Sequence, residues 1–572
     1  MVKRKYPVPS DIEIAQTTEL LPIEEIAKKI DIQDDELEPY GKYMAKINLK
    51  VLDRLKDRPN GKFITVTAIT PTPLGEGKTV TNIGVGQALN KIGKKVINTL
   101  REPSKGPTFG IKGGACGGGY SQVLPMEAIN LHFTGDIHAV ETAHNLFNAA
   151  MDASILHGNP LNLDIHNINL RRCVDLNDRA LRNIVIGLGG RMDGIPRQTG
   201  YDITVATETA AIHALTTSLK DLRERLGRMV CGFDKNGKPV TAEDLKVAGA
   251  MAVLMKDSIK PNLVQSTENH PIIDHGFPFA NVAHGNNSVL ADMVALKLAD
   301  YVVTESGFGA DCGAEKLIDV KCRQSGLKLD CAIITCTIRA LKMHGGAFEF
   351  RPGQPYNKEL AEKENMPALE EGCKNLKVHI ENMKKFGVPI VVTINRFVSD
   401  TEKEIEFVKD FALSCGASYA VPINPWAEGG DGCIEAAEAV VKACEEPNDF
   451  KFLYPDDVSI KEKIEIIATE IYRADGVDYS PVAENKIKLY ESLGYSRMPI
   501  NMAKTHLSLS HDPNLKNVPT NYRIPVVDVR VSVGAGFIYP LLGQMRTMPG
   551  LPSKPAFIPV DLDEEGKIKG LF

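Results

Sequence analysis

The sequence predicts an α/β fold: a parallel sheet with helices on both faces, accompanied by an inserted α/β domain and a C-terminal α/β domain. Three observations predict it. Residues 62–70 (KFITVTAIT), a Pro/Gly loop at 71–77, a helical run with Val85, Ala88, Leu89 and Ile92 on one face, and residues 95–100 (KVINTL) follow one another as strand, loop, helix and strand. That unit generates parallel sheets. Buried-strand patterns return at 301–304, 332–337 and 389–394. The 572 residues exceed what one hydrophobic core organises, so several domains are expected.

Taken in order, residues 1–60 read as a helical leader, with Ser10 and Asp11 capping a helix that starts at Ile12 and a turn at 37–41. Gly93 ends the helix that follows the first strand. The stretch 105–120 holds seven glycines and fits neither strand nor regular helix. Residues 150–255 mix helices with a hairpin at 230–240 that turns at Lys235-Asn236-Gly237. The Pro, Gly and charge of 351–371 mark a domain boundary. No internal repeat or low-complexity tract is found.

Hydrophobic residues at 43% and charged residues at 24% fit an ordinary globular chain. With 67 basic against 73 acidic side chains and no long basic run, nucleic acid is not an expected partner. No stretch reaches the roughly 18 apolar residues of a membrane helix. The basic N-terminus lacks an apolar run behind it, so no secretory signal is expected. Eleven cysteines include no C-x-x-C pair, and a reduced, cytoplasmic protein is the expectation.

The loop after the first strand reads Thr72-Pro73-Leu74-Gly75-Glu76-Gly77-Lys78-Thr79. A phosphate loop is G-x-x-x-x-G-K-[ST], and Thr72 stands where its first glycine belongs. The chemical end is intact. Gly77 lets backbone N–H groups turn inward, the helix N-terminus attracts anions, Lys78 reaches terminal phosphates and the Thr79 hydroxyl suits Mg²⁺. The expected sheet is therefore phosphate-loop NTPase-like. Gly84-Val85-Gly86 begins a dinucleotide fingerprint but lacks its third glycine and lies inside the helix, so that reading is discarded.

Arg101 follows the second strand. In an open parallel sheet the carboxyl ends of neighbouring strands share one crevice, so Arg101 is expected beside the phosphate loop, clamping anionic oxygens. A metal centre at His132, Asp136, His138, Glu141 and His144 is rejected, because no histidine pair has the i, i+4 spacing of a shared helix face. A guanine-nucleotide switch would carry N-K-x-D after a strand. The nearest run, Asn395-Arg396-Phe397-Val398, lacks the aspartate.

Gly110–Tyr120 (GIKGGACGGGY) and Thr335–Gly346 (TCTIRALKMHGG) closely resemble signatures of formate–tetrahydrofolate ligases. The resemblance runs nearly end to end, through Ser10–Gln16, Asn130–Asp136, Ala474–Pro481 and Thr547–Pro552. Three departures are visible: Cys116 and Cys336 where the family usually has alanine, and Val80 where a second hydroxyl is common.

The resemblance implies an ATP-dependent ligase that phosphorylates formate and passes the formyl group to N10 of tetrahydrofolate. MgATP, formate and tetrahydrofolate are the implied substrates, a monovalent cation (K⁺ or NH₄⁺) the implied activator, and a homotetramer the implied assembly. Lys78 and Arg101 match the residues that hold the formyl-phosphate group. Phe397 and Trp426 match the two faces of the pterin slot. Phe308, Glu102 and Asp136 match further site positions. Losing Lys78 or Arg101 would have pointed to a binding protein without catalysis, and both are present. The implied organisation is a nucleotide-binding domain from 1–150 and 256–355, an insertion at 151–255, and a C-terminal domain at 356–572 contributing the folate site.

Overall fold

The computed structural model describes residues 4–112, 114–350 and 357–571. Its centre is a twelve-stranded mixed sheet. In chain order the strands are β1 (Leu37–Pro39), β2 (Ala45–Ile47), β3 (Lys62–Ala68), β4 (Val96–Leu100), β5 (Gly117–Gly118), β6 (Ser121–Leu124), β7 (Asn262–Ser266), β8 (Pro271–Asp274), β9 (Tyr301–Glu305), β10 (Cys331–Cys336), β11 (Ile390–Asn395) and β12 (Tyr419–Ile423). They lie in the order β1-β2-β7-β8-β4-β9-β3-β10-β11-β12, with β6 on β7 and β5 on β6. From β8 to β12 every pairing is parallel. The edge from β1 to β8, and the β5–β6 hairpin, are antiparallel.

Side chains alternate between two cores, as a pleated strand covered on both faces requires. Phe63, Ile97, Val302, Ile334 and Val392 face one core, together with helices Ile23–Lys29, Val289–Leu298 and Met366–Lys384. Ile64, Val96, Val303, Ile333 and Val391 face the other, together with helices Lys78–Lys91 and Ile434–Ala443. The expected helices on both faces are present.

A further core joins helix Asp136–Leu156 to elements between residues 163 and 255, among them the hairpin Val230–Asp234/Pro239–Thr241. That hairpin turns through Gly237 at φ +80°, where it was expected. Phe537, from the hairpin Asp528–Ser532/Phe537–Leu541, packs into the same core. The chain end returns to the first residues: Leu571 shares a core with Ile12 and Leu100.

Several sequence expectations are corrected. β3 and β4 are not neighbours, because β9 lies between them. The leader is not all helical; β1 and β2 join the sheet, and β1 begins where a turn was expected. Helix Lys78–Lys91 is buried all round from Thr81 to Leu89, not on one face. It sits between the sheet and the 425–433 segment, close enough that a Cβ on Gly84 would come within 2.6 Å of Pro425 and 2.9 Å of Cys433. The glycine-rich stretch forms one α turn at Lys105–Pro107, a π turn at Thr108–Lys112, and the short strand β5. β11 and β12, from the part of the chain after 356, extend the same sheet as β3. Part of the expected boundary at 351–371 lies outside the described residues; from 358 the chain is already helical. Among the described residues no helix is long and apolar enough to cross a membrane.

Candidate active site

The loop 69–77 leaves β3 and enters helix Lys78–Lys91 through Gly77, whose φ of +77° and ψ of +32° are left-handed. A Cβ there would land on Asn395 Nδ2. Asn395, the last residue of β11, donates to the Glu76 carbonyl at 3.5 Å. Glu76 is buried and closes the loop on itself: its Oε1 accepts from the Thr72 N–H at 2.6 Å and the Thr72 hydroxyl at 2.9 Å. Burial raises its carboxyl above the usual range, opposed by the Lys78 ammonium. Thr72, where a phosphate loop has glycine, thus anchors the loop. Lys78 and Thr79 open the helix, half-buried, where the macrodipole favours anions.

Thr70 fixes the start of the loop. Its carbonyl accepts from His344 Nε2 at 2.8 Å, and its hydroxyl meets His379 Nε2 and Asn375 Nδ2, each at 3.0 Å. Burial drives both imidazoles down to about 4. The anchoring role of these histidines gave no signal in the sequence, because their partner lies some 300 residues upstream.

Arg101 leaves β4, and Phe308 leaves β9, the strand between β4 and β3. The strands that lead to Arg101 and to the 69–77 loop therefore have β9 between them, in place of the direct adjacency expected. Gly307 sits against Arg101, with a would-be Cβ 3.3 Å from Nη2. Desolvation pulls the guanidinium pKa down, opposed by Glu305 and Asp274. Phe308 is held at φ +62°, and its ring stacks on His506 with centroids 4.2 Å apart.

Phe397 follows β11 and Trp426 follows β12, the adjacent parallel strand. The Arg339 guanidinium, one turn beyond β10, lies 3.7 Å from the Phe397 ring centroid. Trp426 is 46% exposed, and its carbonyl accepts from the Tyr120 N–H at 2.9 Å. Gly119, at φ +55°, allows that approach; a Cβ would collide with the Trp426 carbonyl. The glycine run thus seats the tryptophan loop.

Glu102 and Asp136 belong to a buried acidic cluster that also takes in Asp274, the last residue of β8. Asp136 is satisfied: Oδ1 accepts from Lys46 Nζ at 2.8 Å and Oδ2 from Asn262 Nδ2 at 2.8 Å. Glu102 Oε2 and Asp274 Oδ1 have no hydrogen-bond partner among the described residues. Burial, then the neighbouring carboxylates, raise Glu102 well above its usual range and Asp274 to about 7. Lys46 was missed from sequence, since one lysine in a three-residue strand reads as an edge residue. It is fully buried, with further acceptors at Asn262 Oδ1 (2.8 Å) and the Lys260 carbonyl (3.1 Å).

Ligand atoms of Asp136, His213 and His275 lie within 4.8 Å of one another. They are already committed. Both Nε2 atoms donate to the Ser258 carbonyl, at 2.8 and 2.7 Å, and His275 Nδ1 meets the Ser288 hydroxyl at 2.6 Å. Of the residues 132–144 weighed as a metal centre, His132 and His138 are exposed, Glu141 accepts from the Asp175 N–H and Thr204, and His144 bridges Thr209 and the Arg171 carbonyl. Cys116 is buried and accepts from Asn130 Nδ2 at 3.1 Å; Cys336 is buried in β10; burial raises both thiols well above their usual range. Val80 is half-buried in the first helical turn.

The loop after β3 and the residues after β4, β9, β10, β11 and β12 thus leave one edge of a parallel sheet, where open α/β sheets bind ligands. A family model described as formate–tetrahydrofolate ligase matches residues 9–572. The chain is 62% identical over 565 residues to the formate–tetrahydrofolate ligase of Desulforamulus reducens, covering 99% of this chain and 100% of that protein. It is 53% identical over 564 residues to that of Saccharopolyspora erythraea (99% and 100%) and 54% identical over 562 residues to that of Roseiflexus castenholzii (98% and 100%). The chain belongs to the formate–tetrahydrofolate ligase family.

Proposed function

We propose that this chain joins formate to tetrahydrofolate at the expense of ATP, giving 10-formyltetrahydrofolate, ADP and phosphate through formyl phosphate. Formate is a poor electrophile because oxide is not a leaving group. A formate oxygen attacks the γ-phosphorus, the bond to the ADP oxygen breaks, and the carboxyl carbon becomes a mixed anhydride. N10 of the folate then attacks that carbon, phosphate leaves, and the N10 proton passes to solvent or phosphate. Such phosphoryl transfer asks the protein for positioning and charge neutralisation.

In this reading the region 72–79 cradles ATP in a phosphate-loop NTPase-like arrangement, and Lys78 and Arg101 hold the transferred phosphoryl group. Thr79 suits a Mg²⁺ ion carried by the nucleotide, which would neutralise phosphate charge. Phe397 and Trp426 hold the pterin between them, with Phe308 at the reacting end. Glu102 and Asp136 set the polarity of the floor. The partnerless oxygens of Glu102 and Asp274 suit the activating monovalent cation. The nucleotide-binding region is 1–150 with 256–355, the insertion is 151–255, and the C-terminal domain at 356–572 contributes Phe397 and Trp426 to the folate site. The assembly is a homotetramer in the cytoplasm.

The observation that carries this reading is the convergence of these side chains at the carboxyl ends of six parallel strands. The test is product formation by the purified protein with MgATP, formate, tetrahydrofolate and K⁺. Product that requires all three substrates, and rises with K⁺ over Na⁺, supports the proposal. ATP hydrolysis that ignores formate would sink it. Sedimentation of the same sample tests the tetramer.

A further inference from the structure

A cavity of about 1000 Å³ lies between the insertion and the C-terminal hairpin, and none of Lys78, Arg101, Phe308, Phe397 and Trp426 lines it. One wall is cationic. Arg171, Arg182 and Arg546 line it. Arg171 is paired to Asp202 at 3.0 Å, but among the described residues neither Arg182 nor Arg546 has a carboxylate partner. Arg182 Nε donates to the Met548 carbonyl at 2.8 Å. Its guanidinium pKa is pushed down, by desolvation first and then by Arg546 and Arg179 beside it. Unpaired like charges held together repel, and a concave wall concentrates their field, so the arrangement favours an anion. The chain as a whole carries a net charge of −6, so this wall runs against the overall balance.

Another part of the lining is aromatic and comes from the C-terminal part. Tyr490, Tyr495 and Tyr539 line it, the first two with centroids 6.4 Å apart, and Tyr539 stands 6.0 Å from Phe537. Glu208 also lines the cavity. Its Oε1 accepts from the Gly534 and Ala535 N–H groups at 2.7 and 3.3 Å, and burial raises the carboxyl to about 7. A cavity of this size takes a drug-sized molecule, and such sites combine an apolar wall with a few placed polar groups.

We infer that this cavity is a second ligand site, separate from the candidate active site, for a flat aromatic anion. The anionic group lies between Arg182 and Arg546, the ring lies along the tyrosine wall, and a ring N–H or amino group faces Glu208. Two kinds of molecule share this chemistry: a nucleotide, whose anion is phosphate, and a pteridine or aminobenzoate compound, whose anion is carboxylate.

Isothermal titration of the whole protein with ADP, and separately with folic acid, distinguishes them. One of the two probes is expected to show two binding events per chain and the other one. Arg546→Glu, at an exposed position, should weaken the additional event at least about tenfold and leave the KM values of the ligation reaction unchanged. Arg182→Gln is the second variant, and melting curves confirm that both remain folded. A single event per chain for both probes, or two events that neither variant alters, overturns the inference. So does a change of sedimentation mass in Arg546→Glu with no change in binding, because the cationic wall would then face a second copy of the chain.

Discussion

The guanidinium of Arg339 covers one face of the Phe397 ring, 3.7 Å from its centroid. Arg339 Nε is buried and has no hydrogen-bond partner among the described residues. Only the other face of Phe397 is left to stack on a pterin. A cation beneath the ring fixes its tilt, and the contact is worth roughly 0.5–2 kcal/mol. Arg339→Gln is therefore expected to raise the KM for tetrahydrofolate by about 3- to 30-fold, with the KM for ATP changed less than about twofold. Arg339→Lys should recover part of the loss. Steady-state kinetics with each substrate varied in turn checks this.

Gly77→Ala meets two obstacles: a left-handed backbone, costing roughly 1–2 kcal/mol for an L-residue, and Asn395 Nδ2 in the space a Cβ would take. ATP binding should weaken at least about tenfold while the fold survives. The double change with Asn395→Gly removes the collision but not the backbone strain, so it should recover only part of the affinity. Nucleotide titration and circular dichroism separate the two effects.

Gly119→Ala acts on the tryptophan loop. Its Cβ would collide with the Trp426 carbonyl and push the tryptophan loop outward. The expected result is a raised KM for tetrahydrofolate, about 10-fold, with ATP affinity unchanged and indole fluorescence shifted. Since Trp426 is the only tryptophan, the emission reports that loop alone.

His344 and His379, which hold Thr70 at the head of the 69–77 loop, are both driven down to about 4 by burial. Between about pH 6.5 and 4 the unfolded imidazoles bind protons that the folded ones refuse. Stability therefore rises with pH across that window and is lost as pH falls through it, by up to about 1.4 kcal/mol per pH unit for each histidine. Denaturant melts from pH 7 to 4.5 should show this slope, and His344→Gln should reduce it. An unchanged slope would remove His344 from the explanation.

The strands and their exits were legible because β-branched runs and glycine loops leave local patterns. Lys62–Ala68, Cys331–Cys336 and Ile390–Asn395 fall within one or two residues of the sequence reading. Strand order was not legible. Nothing near residue 301 says that β9 will insert between β4 and β3. Phosphate-loop and aromatic candidates were readable through motif and resemblance. Their supports were not: Asn395 against Gly77, Lys46 against Asp136 and Arg339 against Phe397 are contacts across 318, 90 and 58 residues of sequence. The all-round burial of helix Lys78–Lys91 was hidden for the same reason, since the segment covering its outer face arrives more than 300 residues later.

Formate activation by phosphorylation between Lys78 and Arg101 is tested most directly by an oxygen tracer. With ¹⁸O-labelled formate, MgATP and tetrahydrofolate, each turnover should place one formate oxygen in the released phosphate, and Arg101→Ala should lose both the product and the label. Phosphate free of ¹⁸O during full formation of 10-formyltetrahydrofolate, or an Arg101→Ala variant that keeps its rate, would contradict the account.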